Sequence, residues 1–142
     1  MRNRFSATWM LVLAAMVLNN LGCSQSDAPP LGQVTGQVTL DGKPLEGLIV
    51  IFKPTEGRAA TATTDSKGSY RLEYSHGVKG CKTGANTVIM EWPLGSKNAK
   101  SLAERYTTKS GLKADVKSGN NPLDFALKSD GTADGKSIVI PD

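Results

Sequence analysis

Two cysteines and a single histidine are the side chains of this sequence with the widest chemical range. Cys81 is a potential nucleophile, and the neighbouring Lys79 and Lys82 would lower its thiol pKa if it were exposed. A nucleophile also needs a base, and His76 is the nearest one along the chain. Because zinc and copper sites need several ligands at suitable spacing, a lone histidine predicts an ordinary loop residue. We therefore expect no catalytic residue, no metal and no cofactor, and we expect Cys81 to be a small packed side chain.

Two aromatic residues stand at a stretch that has no hydrophobic periodicity. Trp92 and Tyr106 flank or lie within residues 93–111, which predict a long loop with one helical turn around 102–106. Exposed aromatic rings there would stack on sugar rings or contact a protein partner. The alternative, burial of Trp92 in the core, is favoured by its place in a strand alternation. Trp92 and Tyr106 are thus the candidate binding-loop residues.

The net charge argues against one class of partner. The chain carries a formal charge of +4, which falls to +2 if Arg2 and Arg4 are removed with a leader. A charge this small does not predict nucleic-acid binding. Basic residues are nevertheless in excess between Lys79 and Lys117. Such a stretch is usually a solvated face, and the alternative is weak contact with anionic lipid or envelope polysaccharide.

The first 22 residues have the organisation of a secretory signal peptide. Arg2 and Arg4 precede an apolar run from Trp9 to Leu18, and Asn19 ends it. A permanent transmembrane helix needs about 20 apolar residues, and this run is clearly shorter. We expect residues 1–22 to be a cleaved leader that takes no part in the fold.

The leader ends with the stretch Leu21, Gly22, Cys23, which follows Asn20. It resembles the lipobox of bacterial lipoproteins, in which small residues precede an invariant cysteine, although that family usually has Leu where this chain has Asn20. The resemblance implies a diacylglyceryl group on Cys23, and two or more acyl chains suffice for stable membrane attachment. In double-membraned bacteria an Asp after the cysteine implies inner-membrane retention, so Ser24 favours the outer membrane over the inner membrane. Residues 23–32 predict a flexible tether.

The remaining chain predicts an all-β domain over residues 33–128. Residues 33–40 alternate with a period of two and lead into Asp41-Gly42, a tight-turn signal that predicts a hairpin. The partner strand, 48–52, is continuously apolar and is expected to be covered on both faces. A second hairpin is predicted across the turn 65–68.

Three further strands complete the sequence-based prediction. One ends at Pro93, and two more, at 112–116 and 123–127, are expected to pair antiparallel across the turn at Gly119. Residues 129–142 predict a loose tail, in which 138–140 form either no structure or a short edge strand. Seven strands with a turn every ten or so residues predict a β-sandwich.

Residues 33–128 carry a set of turn residues and alternating apolar residues: Gly36, Val38, Gly42, Pro44, Leu45, Gly47, Val50, Phe52, Thr64, Asp65, Gly68, Tyr70, Leu112, Val116, Gly119, Asn120 and Phe125. In these residues the domain resembles the carboxypeptidase regulatory-like family, and the resemblance implies a transthyretin-like Greek-key sandwich of seven strands. It implies a non-enzymatic accessory module and transfers no catalytic residue.

These observations predict a membrane-anchored, non-catalytic lipoprotein that serves as an interaction or structural module of the cell envelope. Its partners would be the membrane, through the lipid on Cys23, and an envelope protein or polysaccharide. Two alternatives remain open. One is a carbohydrate-binding domain at the cell surface, which requires an exposed Trp92 or Tyr106. The other is a transthyretin-like hydrolase, which a sequence with one histidine disfavours.

Overall fold

The computed structural model describes residues 29–97 and 99–130, and they form two packed β-sheets. The first sheet contains β1 (Leu31–Leu40), β2 (Lys43–Pro44), β5 (Ser69–Arg71), β8 (Cys81–Lys82), β11 (Gly119–Pro122) and β12 (Phe125–Leu127). The second contains β3 (Ile49–Pro54), β4 (Ala60–Thr63), β6 (Glu73–Ser75), β7 (Val78–Lys79), β9 (Gly84–Glu91) and β10 (Lys113–Val116). The predicted all-β sandwich is confirmed. It has twelve strand segments rather than seven strands. The predicted strand 70–74 is divided between the two sheets as β5 and β6, and β2, β7, β8 and β11 form in stretches that were predicted as turns or loops.

Several sequence-based predictions concern residues outside this range. The predicted leader 1–22, Cys23 and the tether as far as residue 28 lie outside the described residues, as do residues 131–142 with the segment 138–140. The first strand begins at Leu31, two residues before the predicted start of the domain. None of the described residues forms a helix with the length and hydropathy needed to span a bilayer.

Strand β1 organises the first sheet. Its alternation buries Val34, Val38 and Leu40 on the face toward the second sheet. It pairs antiparallel with β2, β5 and β8 along one side and parallel with β11 and β12 along the other. The first sheet is therefore mixed rather than purely antiparallel.

The turn after β1 forms as predicted, but its partner strand does not. Asp41 and Gly42 have φ values of 51° and 79°, the left-handed pair that a type I′ hairpin requires. The hairpin closes on the two-residue strand β2, and the chain then crosses to the other sheet to form β3. The prediction that 48–52 pairs with 33–40 is wrong, because Pro44 and the left-handed Gly47 redirect the chain away from β1.

The apolar strand β3 is covered on one face only. Val50 and Phe52 are fully buried between the sheets, whereas Ile49 and Ile51 are half-buried on the outer face. The expectation of coverage on both faces is wrong. The outer isoleucines are shielded by neighbouring side chains on β4 and β9, which pair with β3 on its two sides.

The last two predicted strands belong to different sheets. β10 pairs antiparallel with β9 in the second sheet, and β12 pairs parallel with β1 in the first. The predicted hairpin between them is wrong, although both strands bury their alternate residues as expected. The second predicted hairpin is partly correct, since Thr61 opposes Glu73 but Ser69–Arg71 pairs with β1.

Candidate functional site

Cys81 is fully buried at the start of β8. Its Sγ lies 3.5 Å from the side-chain oxygen of Asn86, whose amide nitrogen donates to the carbonyl oxygens of Lys82 and Gly84. Burial raises the pKa of the Cys81 thiol to about 11, so the thiolate is disfavoured at neutral pH. Lys79 and Lys82 do not lower the pKa of the Cys81 thiol as the sequence suggested. Lys79 pairs with Glu73, and the Lys82 ammonium donates a hydrogen bond to the backbone carbonyl of Glu56.

His76 lies in the exposed turn between β6 and β7. The carboxylate of Glu73 has a pKa below its usual value, chiefly because it accepts a hydrogen bond from the Lys79 ammonium and only slightly because of His76. Across residues 29–97 and 99–130, no three His, Cys, Asp or Glu side chains converge as metal ligands would. The fold therefore does not assemble Cys81 and His76 into a reactive pair, since one is buried and the other is exposed.

Tyr106 is a core residue. It lies in the 3-10 turn Glu104–Tyr106, which packs against β9, and it is only 2% exposed. Its hydroxyl oxygen accepts a hydrogen bond from the backbone N–H of Lys128 at 3.2 Å. The expectation that Tyr106 presents an exposed ring to a ligand is wrong, because its side chain packs into the hydrophobic core.

Trp92 follows directly after β9 and is half-buried, with one side packed against the core. Its ring nitrogen donates to the carbonyl oxygen of Lys100 at 2.8 Å. This bond ties the start of the long loop to its middle. The alternation of β9 predicts full burial of Trp92, but the strand ends at Glu91 and the ring reaches only the rim of the core.

A surface depression of about 400 Å³ lies beside Trp92. Its lining residues come from the long loop, with Ser96, Lys97 and Lys100, and from the end of β2 and the turn after it, with Pro44, Leu45, Glu46 and Gly47. We call this the Trp92 depression. The side chains of Lys97, Lys100 and Glu46 are exposed around it.

Two other depressions lie over the sheets. One, of about 580 Å³, lies over Ile49 and Ile51 on the outer face of the second sheet and is also lined by Arg71 of β5. The other, of about 610 Å³, lies beside Thr35 and Asp65, and its aromatic residue, Tyr70, is only 4% exposed. Neither offers an accessible ring, so the Trp92 depression is the better candidate binding site.

Comparison with known proteins does not assign this site. No family model and no curated protein matches the chain. Among solved structures, the chain is similar to the crystal structure of a DUF3823 family protein from Parabacteroides merdae, with 12% sequence identity and a TM-score of 0.41. The likeness covers 71% of this chain and 46% of that protein, so this chain spans less than half of its length.

The chemistry of the Trp92 depression follows from its residues. An aromatic face offers an apolar surface, two ammonium groups offer charged hydrogen-bond donors, and the Glu46 carboxylate offers an acceptor. Small-molecule sites commonly combine apolar walls with a few polar groups in volumes of roughly 300–1,000 Å³. The sequence had singled out Trp92 and the basic stretch, but it had no signal for Glu46, which is distant along the chain and lines the same depression.

Proposed function

We propose that the chain is an exported lipoprotein whose β-sandwich is a non-catalytic binding module of the cell envelope. Acyl chains on Cys23 attach it to a membrane, with Ser24 favouring the outer one, and the Trp92 depression contacts its partner. The observation that carries the binding role is the half-exposed Trp92 beside Lys97 and Lys100 in one depression.

The anchor is supported by the charged and apolar regions of residues 1–22 and by the lipobox-like stretch before Cys23. Seven residues, 24–30, lie between Cys23 and the first residue of β1, Leu31, so the two residues are eight chain steps apart. Fully extended, such a tether reaches roughly 26 to 29 Å. This length allows the sandwich to approach partners close to the bilayer surface.

The non-catalytic assignment is supported by the state of the two most reactive side chains. The Cys81 thiol is buried with a pKa of about 11, and His76 stands in an exposed turn. A transthyretin-like hydrolase would require a cleft in which several histidines meet, whereas the sequence has one histidine.

Cross-linking in intact envelopes tests both parts of this proposal. The wild type, Cys23→Ser and Trp92→Ala are compared, and mass spectrometry identifies the lipid on residue 23 and the captured molecules. We expect a diacylglyceryl modification in the wild type and in Trp92→Ala. We also expect one enriched partner from the wild type, reduced at least about tenfold in Trp92→Ala.

Two results would contradict the proposal. A wild-type chain without lipid that is recovered in the soluble fraction would remove the anchor. A partner captured equally well by Trp92→Ala would remove the Trp92 depression as the binding site. Tyr74→Phe, a conservative change at another half-buried aromatic, is the matched control for the capture.

A further inference from the structure

We propose that the Trp92 depression binds an acidic polysaccharide, with a sugar ring on the Trp92 face and sugar carboxylates on Lys97 and Lys100. The inference rests on the proposed function and specifies the class of ligand. It is carried by the combination of one fixed aromatic ring, two exposed ammonium groups and one exposed carboxylate in a depression of about 400 Å³.

Trp92 is a preorganised platform. Its inner side packs against the core, and its ring N–H is already satisfied by the carbonyl of Lys100. The ring loses little further freedom when a ligand binds, which favours affinity. Because the N–H is occupied, the part of the ring that remains available offers an apolar face, which suits the C–H face of a pyranose.

The cations are available for an anionic ligand. The ion pairs of the described residues join Lys79 to Glu73 and Lys109 to Glu104, and neither includes Lys97 or Lys100. Ammonium groups form charge-assisted hydrogen bonds with carboxylates, which are stronger than bonds between neutral partners. Two lysines three positions apart on one loop therefore favour a ligand that carries carboxylates.

Glu46 distinguishes an acidic sugar from a simple anion. Glu46 lines the same depression as the two lysines, and its carboxylate accepts hydrogen bonds but donates none. It disfavours a simple anion that offers no hydrogen-bond donor, whereas it can accept bonds from sugar hydroxyls. The site thus combines groups for a hydroxyl, a carboxylate and an apolar ring face, all of which occur in a uronic acid residue.

The test uses the mature protein extracted from membranes in neutral detergent. The sequence has two tryptophans, Trp9 in the leader and Trp92, so processing at Cys23 leaves Trp92 as the fluorescent reporter.

Tetragalacturonate and an alginate tetramer are the acidic probes, and cellotetraose is the neutral one. We expect the acidic probes to change Trp92 emission and to bind at least about tenfold more tightly than cellotetraose. We also expect this binding to weaken severalfold between 50 mM and 500 mM salt, because exposed charges are screened.

Lysine variants test whether Lys97 and Lys100 bind the acidic probes. The double variant Lys97→Gln/Lys100→Gln is expected to bind the acidic probes about tenfold more weakly. Its matched control, Lys53→Gln/Lys117→Gln, removes the same charge from exposed positions toward the other end of the second sheet and is expected to bind within about twofold of wild type. Unchanged circular dichroism and Tm confirm that both double variants are folded.

Four outcomes overturn the inference. They are no response to either acidic probe, equal binding of cellotetraose, an equal response to acetate at the same carboxylate concentration, and equal weakening in the two double variants. If the acidic probes fail while envelope capture still depends on Trp92, the ligand is of another class, such as protein or anionic lipid, and the proposed function stands. If capture is also independent of Trp92, the proposed function fails as well.

Discussion

The Tyr70 hydroxyl donates a hydrogen bond to the carbonyl oxygen of Leu123 at 2.6 Å. The two residues lie on opposite sides of β1, and the Tyr70 ring spans that strand at Gly36, its partner in the strand pairing. A Cβ at Gly36 would overlap the Leu123 carbonyl and lie 3.0 Å from the Tyr70 ring. The glycine therefore makes room for an aromatic tie between β5 and the segment that joins β11 to β12.

Tyr70→Phe is expected to lower the free energy of unfolding by about 1–3 kcal/mol, because it leaves a buried carbonyl without this donor. Equilibrium unfolding in urea measures the change. Tyr74→Phe, at a half-buried position, is the control and should change stability by no more than about 0.5 kcal/mol. Equal losses of unfolding free energy in both variants would show that the hydrogen bond from Tyr70 to the Leu123 carbonyl adds no particular stability.

Gly36→Ala is expected to destabilise the domain by more than about 3 kcal/mol, since the added methyl group forces β1 and Leu123 apart. Thermal unfolding followed by circular dichroism measures the shift. Gly111→Ala is the matched control, because a Cβ at Gly111 meets no atom within 4 Å. A Gly36→Ala protein with wild-type Tm would contradict the packing described above.

Asn121→Ala is expected to cost about 2–3 kcal/mol, because one buried side chain satisfies several backbone groups. Its amide nitrogen donates to the carbonyls of Gln33, Lys117 and Gly119, and its oxygen accepts from the Lys117 N–H at 2.9 Å. These bonds join the turn after β10 to β1. Asn120→Ala, at the exposed neighbouring position, should be close to neutral in the same urea titration.

Counting reactive thiols tests the acylation of Cys23 and the burial of Cys81 independently. In the native protein at pH 8, Cys81 should react with a disulfide reagent at least about 100-fold more slowly than in guanidinium, because the buried thiol must wait for opening of the fold. In guanidinium the wild type should show one thiol if Cys23 is acylated. Two thiols would contradict lipidation, and a fast native reaction that persists in Cys23→Ser would contradict the burial of Cys81.

Stability is expected to fall at alkaline pH. The Cys81 thiol has a pKa of about 11 in the folded protein and a reference value of 9.0, so above pH 9 the unfolded chain releases a proton that the folded chain retains. The loss proceeds as pH rises from 9 toward 11 and amounts to roughly 2–3 kcal/mol when complete. Burial also raises the Tyr70 pKa above its usual value of 10.0, which steepens the fall above pH 10.

Urea unfolding of the wild type and Cys81→Ala at pH 8.0 and pH 9.8 isolates the thiol contribution. The wild type should lose more stability over this interval than Cys81→Ala. Equal losses would show that the thiol ionises alike in the folded and unfolded chains.

Local chemistry made parts of the fold predictable. Asp41-Gly42 tolerates the positive φ values of a tight turn, and Asp65 accepts hydrogen bonds from the backbone N–H groups of Lys67 and Ser69, so both turns formed where predicted. Period-two alternation also identified the buried face of most strands. Sheet membership was not predictable in the same way, because the same alternation suits either sheet and pairing depends on distant residues.

The candidate site likewise combines features that the sequence predicts with features that only the tertiary structure determines. Residue type by itself singled out Trp92 and the basic stretch, and the leader and Cys23 were interpreted from residue order along the chain. Tertiary structure decided that Tyr106 is buried, that Trp92 is half-exposed, and that Glu46, Lys97 and Lys100 line one depression. The reason is physical: turns and alternation depend on neighbouring residues, whereas burial and a binding depression depend on which distant segments the two sheets bring into contact.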